Sequence, residues 1–170
     1  LQTRYDCRKF TAYFQPATNT YASVDRLREA YGAAIEDPRI VALAIGTRPD
    51  CVPDDVLDLI DEFAERLPVS VEYGMQTMHD RSLTWMNRGH GHDALVDAMR
   101  RSRGRKFEIC AHVMLGLPGE TFEDMLATAD EAARLGFDSL KIHNLYCVRN
   151  TPLEAQVASG EVRLMEFDEY

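Results

Sequence analysis

Gln76 and Arg88 are the residues of this 170-residue chain whose types and spacing point first to chemistry. They stand twelve positions apart in the run Val69 to His90, which reads as a strand, a polar tip and a short helical run closed by Gly89. In the strand, Val69, Val71 and Tyr73 alternate with Ser70 and Glu72. A side-chain amide that both donates and accepts, and a guanidinium that stays charged at any working pH, can converge on one small molecule from such a connection. Where parallel strands form a barrel, ligands sit at the strand tips, so Glu72, Gln76 and Arg88 are the leading polar groups. Taken alone, a loop glutamine and a surface arginine describe the same two residues equally well. The other candidate tips carry Gln15 and Asn19, Arg48 and Asp50, His112, and His143 with Asn144.

Strand-like runs begin near Lys9, Ile40, Val69, Phe107 and Ser139, and a helical pattern follows each. Their spacing, about 30 residues, is that of a strand-helix repeat. Ser23 is placed to cap a helix with Leu27, Ala30, Tyr31 and Ala34 on one face, and Asp37-Pro38 ends it. Ile40 to Ile45 is apolar on both faces, as in a covered parallel sheet. Pro53 suits a first helical turn, ahead of the stripe Val56, Leu57, Ile60, Phe63, Ala64 and Leu67. His92 to Ser102 reads as a helix, Thr121 as the cap of another that Gly136 stops, and Pro152 to Ala158 as a short last one. Consecutive units with short connections favour parallel strands and right-handed crossovers. No Gly-x-Gly-x-x-Gly follows the first strand, which weakens an open dinucleotide-binding sheet. Polar groups at every strand tip favour the other closure, an α/β barrel of parallel strands, full or partial.

Hydrophobic residues make up 45% of the chain, enough for a substantial core, and the formal net charge is −9. That charge argues against a broad electrostatic grip on nucleic acid. The basic run Arg100, Arg101, Arg103, Arg105 and Lys106 reads as a solvated helix end favoured by the helix dipole. No apolar run is long enough for a membrane span and no secretory pattern opens the sequence, so a soluble cytoplasmic protein is expected. Cys7, Cys51, Cys110 and Cys147 are far apart and form no Cys-x-x-Cys, so they read as core or loop residues. His79, His90 and His92 read as loop and cap residues, with no metal site expected from this chain. The sequence opens on Leu1 rather than methionine, so a longer or a processed polypeptide is expected.

Five segments in order carry a family likeness: Tyr13 to Tyr21, Ile45 to Cys51, Glu72 to Thr77, Asn87-Arg-Gly-His90, and Ala111-His-Val-Met-Leu-Gly-Leu-Pro-Gly-Glu-Thr121. Together they closely resemble a radical S-adenosylmethionine (SAM) core, most like an uncharacterised bacterial family with an Elongator-like core and more distantly oxygen-independent coproporphyrinogen oxidase. The resemblance covers nearly the whole chain. It implies an α/β partial TIM-like barrel of six parallel strand-helix units, of which residues 1–150 supply about five, and the start of a C-terminal extension at 151–170. It also implies that the first unit, with its Cys-x-x-x-Cys-x-x-Cys loop for a 4Fe-4S cluster, lies upstream, so that the fragment alone is expected to be inactive.

By the same resemblance, Arg88 would pair with the SAM carboxylate and Gln76 would bond a ribose hydroxyl. His112 stands where relatives carry an aspartate facing the ribose, and imidazole can accept the same bond. Leu115, Gly116, Leu117 and Pro118 would flank adenine. Gln15 and Asn19 replace a Gly-Gly-Glu loop toward the SAM amino group, and Gly46 stands where relatives often have glutamate. Arg48, Asp50, His143 and Asn144 are left as substrate candidates. The implied activity is formation of a 5'-deoxyadenosyl radical that abstracts hydrogen from an unknown substrate, with an electron donor as partner and RNA as substrate by analogy alone. Two other readings compete: a barrel enzyme without radicals, using His112 or His143 as base and Arg48 as anion clamp, and a SAM-binding regulatory module without catalysis.

Overall fold

The computed structural model describes residues 6–169. Its five strands are β1 (Phe10–Phe14), β2 (Ile40–Thr47), β3 (Val69–Gln76), β4 (Glu108–Leu115) and β5 (Ser139–Asn144). They form one sheet in the order β1-β2-β3-β4-β5. β1 runs parallel to β2 and β2 parallel to β3, with Phe14 opposite Ile45 and Gly46 opposite Glu72. The chain divides into two compact units, one running to Gly74 and including Ala94–Cys110, the other made of Met75–Asp93 and the residues from Ala111 on.

The first unit contains helices α1 (Val24–Ala34), α2 (Asp54–Ala64) and most of α4 (His92–Ser102), numbered in chain order with α3 (Asp80–Trp85) between. Ser23 is the N-cap of α1 by backbone geometry, but its side chain makes no capping bond. Pro53 sits one position earlier than a first-turn residue, as the N-cap of α2, where a missing N–H costs nothing. Leu43, Ile45, Leu57, Ile60 and Val71 are each at most 1% exposed, and Ala44, on the opposite face of β2, is also buried, so the second half of β2 is covered on both faces while Val41 near its start is exposed. Tyr31 is also 1% exposed and packs edge-on against Phe14 and Phe63. The basic run after α4 is not simply solvated. Arg105 bonds Asp58 at 2.8 Å and Asp61 at 2.9 Å, Lys106 bonds Glu65, and Arg101 bonds Asp97 at 2.7 Å. Arg101 and Arg105 thus spend donors on acidic side chains of α2 and α4, while Arg103 is exposed.

The second unit adds α3, α5 (Phe122–Leu135) and α6 (Pro152–Ala158). At the start of α5 Thr121 and Asp124 form a reciprocal capping box, and at its end Gly136 takes the left-handed conformation at φ 73°. Glu131 on α5 bonds two side chains: Arg134 through Nε at 2.5 Å and His92 through Nε2 at 2.7 Å. The hydrogen bonds from Arg134, helped by His92 and opposed by desolvation, lower the Glu131 carboxyl to about 2. A carboxyl depressed in the folded state contributes stability above its unfolded pKa and loses it as pH falls through the folded value. Denaturant melts should therefore show stability falling between about pH 4.5 and pH 2, and Glu131→Gln should lose less across that window. Equal pH slopes for the two proteins would contradict the assignment.

Candidate functional site

β3 ends in an unusual turn. Gln76 has φ 63°, and Thr77 N–H donates to the carbonyl of Met75 at 2.8 Å, closing a three-residue γ-turn around it. A glutamine with positive φ costs on the order of 1 kcal/mol or more, and such strain persists where surrounding structure holds it. Thr77, fully buried and bonded through Oγ1 to Thr128 Oγ1 at 3.2 Å, anchors the turn to α5. Gln76→Gly should therefore leave stability unchanged or raise it by up to about 1 kcal/mol in urea melts, since glycine adopts this φ freely. A clear loss would show that the turn is unstrained.

Arg88 is placed by the end of α3. The sequence pattern put the helix stop at Gly89, but the chain turns two residues earlier, at Asn87, with φ 52°. Asn87 N–H donates to Thr84 O at 2.9 Å and Arg88 N–H to Leu83 O at 3.0 Å, the paired bonds of a Schellman motif. Asparagine tolerates the left-handed region because its short amide bonds locally, so Asn-Arg-Gly carries its own helix stop. The backbone of Arg88 is thereby fixed independently of its side chain.

Gln76 and Arg88 line one open cavity of about 680 Å³ in the second unit, together with Met114, Leu145, Leu153 and Gln156. A cavity of that size with apolar walls and a few convergent polar groups suits a small organic ligand. Leu117, Pro118, Gly119 and Glu120 form a tight turn after β4, closed by Glu120 N–H to Leu117 O at 3.0 Å with Gly119 at φ 79°. Gly116 and this turn line a second cavity, of about 370 Å³, with Phe122, Met125 and Met165. A Cβ on Gly116 would stand 3.0 Å from Met165 Cβ, so the C-terminal segment presses directly on that glycine. The sequence left Glu161 to Tyr170 without an element; Val162, 4% exposed, is the signal that part of it packs.

His112 on β4 and His143 on β5 meet, with His143 Nε2 and His112 Nδ1 3.3 Å apart and ring centroids separated by 5.0 Å. Sharing one hydrogen between those nitrogens requires at least one neutral ring, which couples the tautomers of the pair. Asn144, the last residue of β5, is exposed.

The remaining candidates belong to the first unit. Arg48 and Asp50 bond each other, Nε to Oδ1 at 2.9 Å and Nη2 to Oδ2 at 2.5 Å. Asn19 Nδ2 donates to the carbonyls of Phe14 and Gly46, both at 2.9 Å, and Tyr31 Oη donates to Asn19 O at 2.6 Å. Gln15 is exposed at the end of the same strand. Gly46 has a steric reason to be glycine, since a Cβ there would lie 3.2 Å from Phe14 O. The carboxylate at this level of the sheet belongs to Glu72 opposite it, 5% exposed and accepting from Tyr13 Oη at 2.6 Å.

The donor set fits SAM: a guanidinium for a carboxylate and an amide for a hydroxyl line one pocket with thioether and aliphatic walls. It does not fit an iron-sulfur cluster, because no three His, Cys, Asp or Glu side chains converge among the described residues. The same residues include no helix long and apolar enough to cross a membrane.

A family model described as the radical SAM superfamily matches residues 9–132, and the chain belongs to that superfamily. Protein MJ0486 of Methanocaldococcus jannaschii is 35% identical over 170 residues, covering 99% of this chain and 53% of its own length. YtqA of Bacillus subtilis is 38% identical over 162 residues, 95% of this chain and 50% of YtqA. The chain thus spans about half the length of these relatives. The structure of archaeal Methanocaldococcus infernus Elp3 with an N-terminal deletion, 19% identical, matches with a TM-score of 0.78 over 99% of this chain and 45% of that one. That likeness shows the fold, an α/β partial TIM-like barrel.

Proposed function

We propose that this chain is the SAM-holding part of a radical SAM enzyme. The observation that carries the reading is the pocket in which Gln76, held in its γ-turn, and Arg88, presented by its Schellman turn, stand together in a chain of this superfamily. Arg88 binds the SAM carboxylate, because a planar fork of permanent donors matches that group. Gln76 bonds a ribose hydroxyl with an amide that can donate and accept, and His112 faces the ribose with a tautomer tied to His143. Leu115, Gly116, Leu117 and Pro118 flank adenine. Asn19, whose amide donors are spent on two strand-tip carbonyls, is left with its oxygen for any amino group, as Gln15 is with its whole amide. Arg48 and Asp50 act as a paired rim rather than a free anion clamp, which leaves His143 and Asn144 as the leading substrate contacts.

A 4Fe-4S cluster, for which the described residues offer no ligand set, would supply the one-electron chemistry. The task of this chain's residues is to hold SAM in one orientation and exclude water from it. The test is the full-length protein, reconstituted without oxygen with iron and sulfide, reduced with dithionite in the presence of SAM, and assayed for 5'-deoxyadenosine by mass spectrometry. Production of 5'-deoxyadenosine is expected. A protein that holds the cluster and binds SAM but yields none would be a binding module, and one that works in air without SAM would be an acid-base barrel enzyme using His112 or His143.

A further inference from the structure

His112 and His143 are bonded to each other, and that bond decides what His112 can offer a ligand. They stand half-buried on the neighbouring strands β4 and β5, with His143 Nε2 and His112 Nδ1 3.3 Å apart. Side chains alternate along a strand, so each histidine shares its face with the residue two positions on. Those residues are Met114 and Leu145, which line the cavity of Gln76 and Arg88. Leu145 N–H donates to Leu115 O at 3.2 Å, so the two segments are still paired at that level. The histidine pair therefore lies one layer beneath the cavity wall.

When both rings are neutral, one hydrogen lies between the facing nitrogens, and it can belong to either ring. If His143 Nε2–H donates to His112 Nδ1, His112 carries its own hydrogen on Nε2 and offers a ligand a donor. If His112 Nδ1–H donates to His143 Nε2, His112 Nε2 becomes an acceptor. Imidazole left to itself favours hydrogen on Nε2, so the second arrangement needs a fixed acceptor beside Nδ1. His143 Nε2 stands where that acceptor is required.

The cavity above the pair favours the second arrangement. Its polar lining is rich in donors, with the guanidinium of Arg88 and the indole N–H of Trp85. Among the described lining residues there is no carboxylate, and the side-chain oxygen acceptors are the amides of Gln76, Asn87 and Gln156. A ribose brings a vicinal pair of hydroxyls, and each hydroxyl hydrogen costs free energy if it is buried without an acceptor. A neutral imidazole nitrogen supplies an acceptor without burying a charge.

We infer that His143 is a positioning residue: by accepting from His112 Nδ1–H it holds His112 in the tautomer whose Nε2 accepts from a ribose hydroxyl of SAM. The inference rests on the proposed SAM site and adds to it the residue that sets the polarity of one contact. Toward SAM, His143 acts through His112 alone. Its own hydrogen then sits on Nδ1, so a substrate contact made by His143 is made as a donor.

The experiment pairs two measurements on the full-length, anaerobically reconstituted protein. One is calorimetric titration with S-adenosylhomocysteine, which is not cleaved as SAM is. The other is imidazole nitrogen NMR of histidine-labelled protein, in which the two tautomers have distinct ring shifts. Wild type is expected to show hydrogen on His112 Nδ1, the His112 signals being identified by their loss in His112→Ala. His143→Leu should move that hydrogen to Nε2 and weaken the ligand by about three- to tenfold, the range of one hydrogen bond. His143→Gln, whose amide oxygen can accept from Nδ1–H, should restore both readouts. In a His112→Ala background His143→Leu should cost nothing further, with melting curves confirming that the variants are folded. Hydrogen on His112 Nε2 in the wild type would overturn the inference without any variant. So would wild-type affinity in folded His143→Leu, or a loss there that persists in the His112→Ala background, and each of these results leaves the SAM site standing. Wild-type affinity in His112→Ala would overturn the ribose contact and the inference with it, and failure of the wild type to bind would overturn the SAM site as well.

Discussion

Arg88→Ala should weaken SAM binding by the full-length protein by at least about thirtyfold, because removing one partner of a hydrogen-bonded charge pair costs about 2 kcal/mol or more. The helix end should survive the change. The Schellman bonds at Asn87 and Arg88 are made by backbone groups, so α3 keeps its stop whatever side chain follows. Arg88→Lys should recover only part of the affinity, since an ammonium cannot present two parallel donors to a carboxylate. Titration of wild type and both variants, with circular dichroism as a control on folding, makes the comparison. Equal affinity for SAM in wild type and Arg88→Ala would remove the carboxylate clamp and with it the central feature of the site.

The largest loss of stability among single substitutions is expected at Tyr31. Its ring lies between Phe14 of β1 and Phe63 of α2, with centroids 5.2 Å and 5.7 Å away. Its hydroxyl reaches Asn19 O in the loop after β1. Tyr31→Ala removes a large buried ring and should cost about 3–5 kcal/mol in urea denaturation. Tyr31→Phe keeps the packing and loses one hydrogen bond, so about 1 kcal/mol is expected. Burial also pushes the hydroxyl well above its ordinary pKa, so it stays a donor to Asn19 throughout the working range. A similar cost for both variants would mean that the bond to the loop, rather than the ring, holds this region together.

Much of the architecture is legible in the sequence because its signals are local. Thr121 with Asp124, Gly136 and Pro152 mark helix ends by chemistry confined to one turn, and all three stand where the pattern puts them. The apolar run Ile40 to Ile45 likewise announces a strand, covered from Leu43 on. The errors are of a different kind. Gly89 is the expected stop by propensity, yet Asn87 takes the left-handed turn first, since either residue can adopt it and the spacing to Leu83 decides. The basic run looked solvated because its partners on α2 lie more than 40 residues away, beyond any local pattern. The strained φ of Gln76 has no signal of its own, because nothing in a glutamine reveals the backbone that tertiary contacts impose.

The order of the sheet has a consequence for how the protein is made. Each strand lies beside the one synthesised just before it, and Phe10 meets Ile40, and Leu43 meets Val69, across connections of about 30 residues. Closing loops of that length one after another costs little more entropy each time than the last. No strand has to wait for a distant partner. The chain can therefore lay down its sheet as it leaves the ribosome, each nascent strand docking on an edge already present. At every stage the growing edge, rather than a half-formed core, is the surface exposed to chaperones and to aggregation.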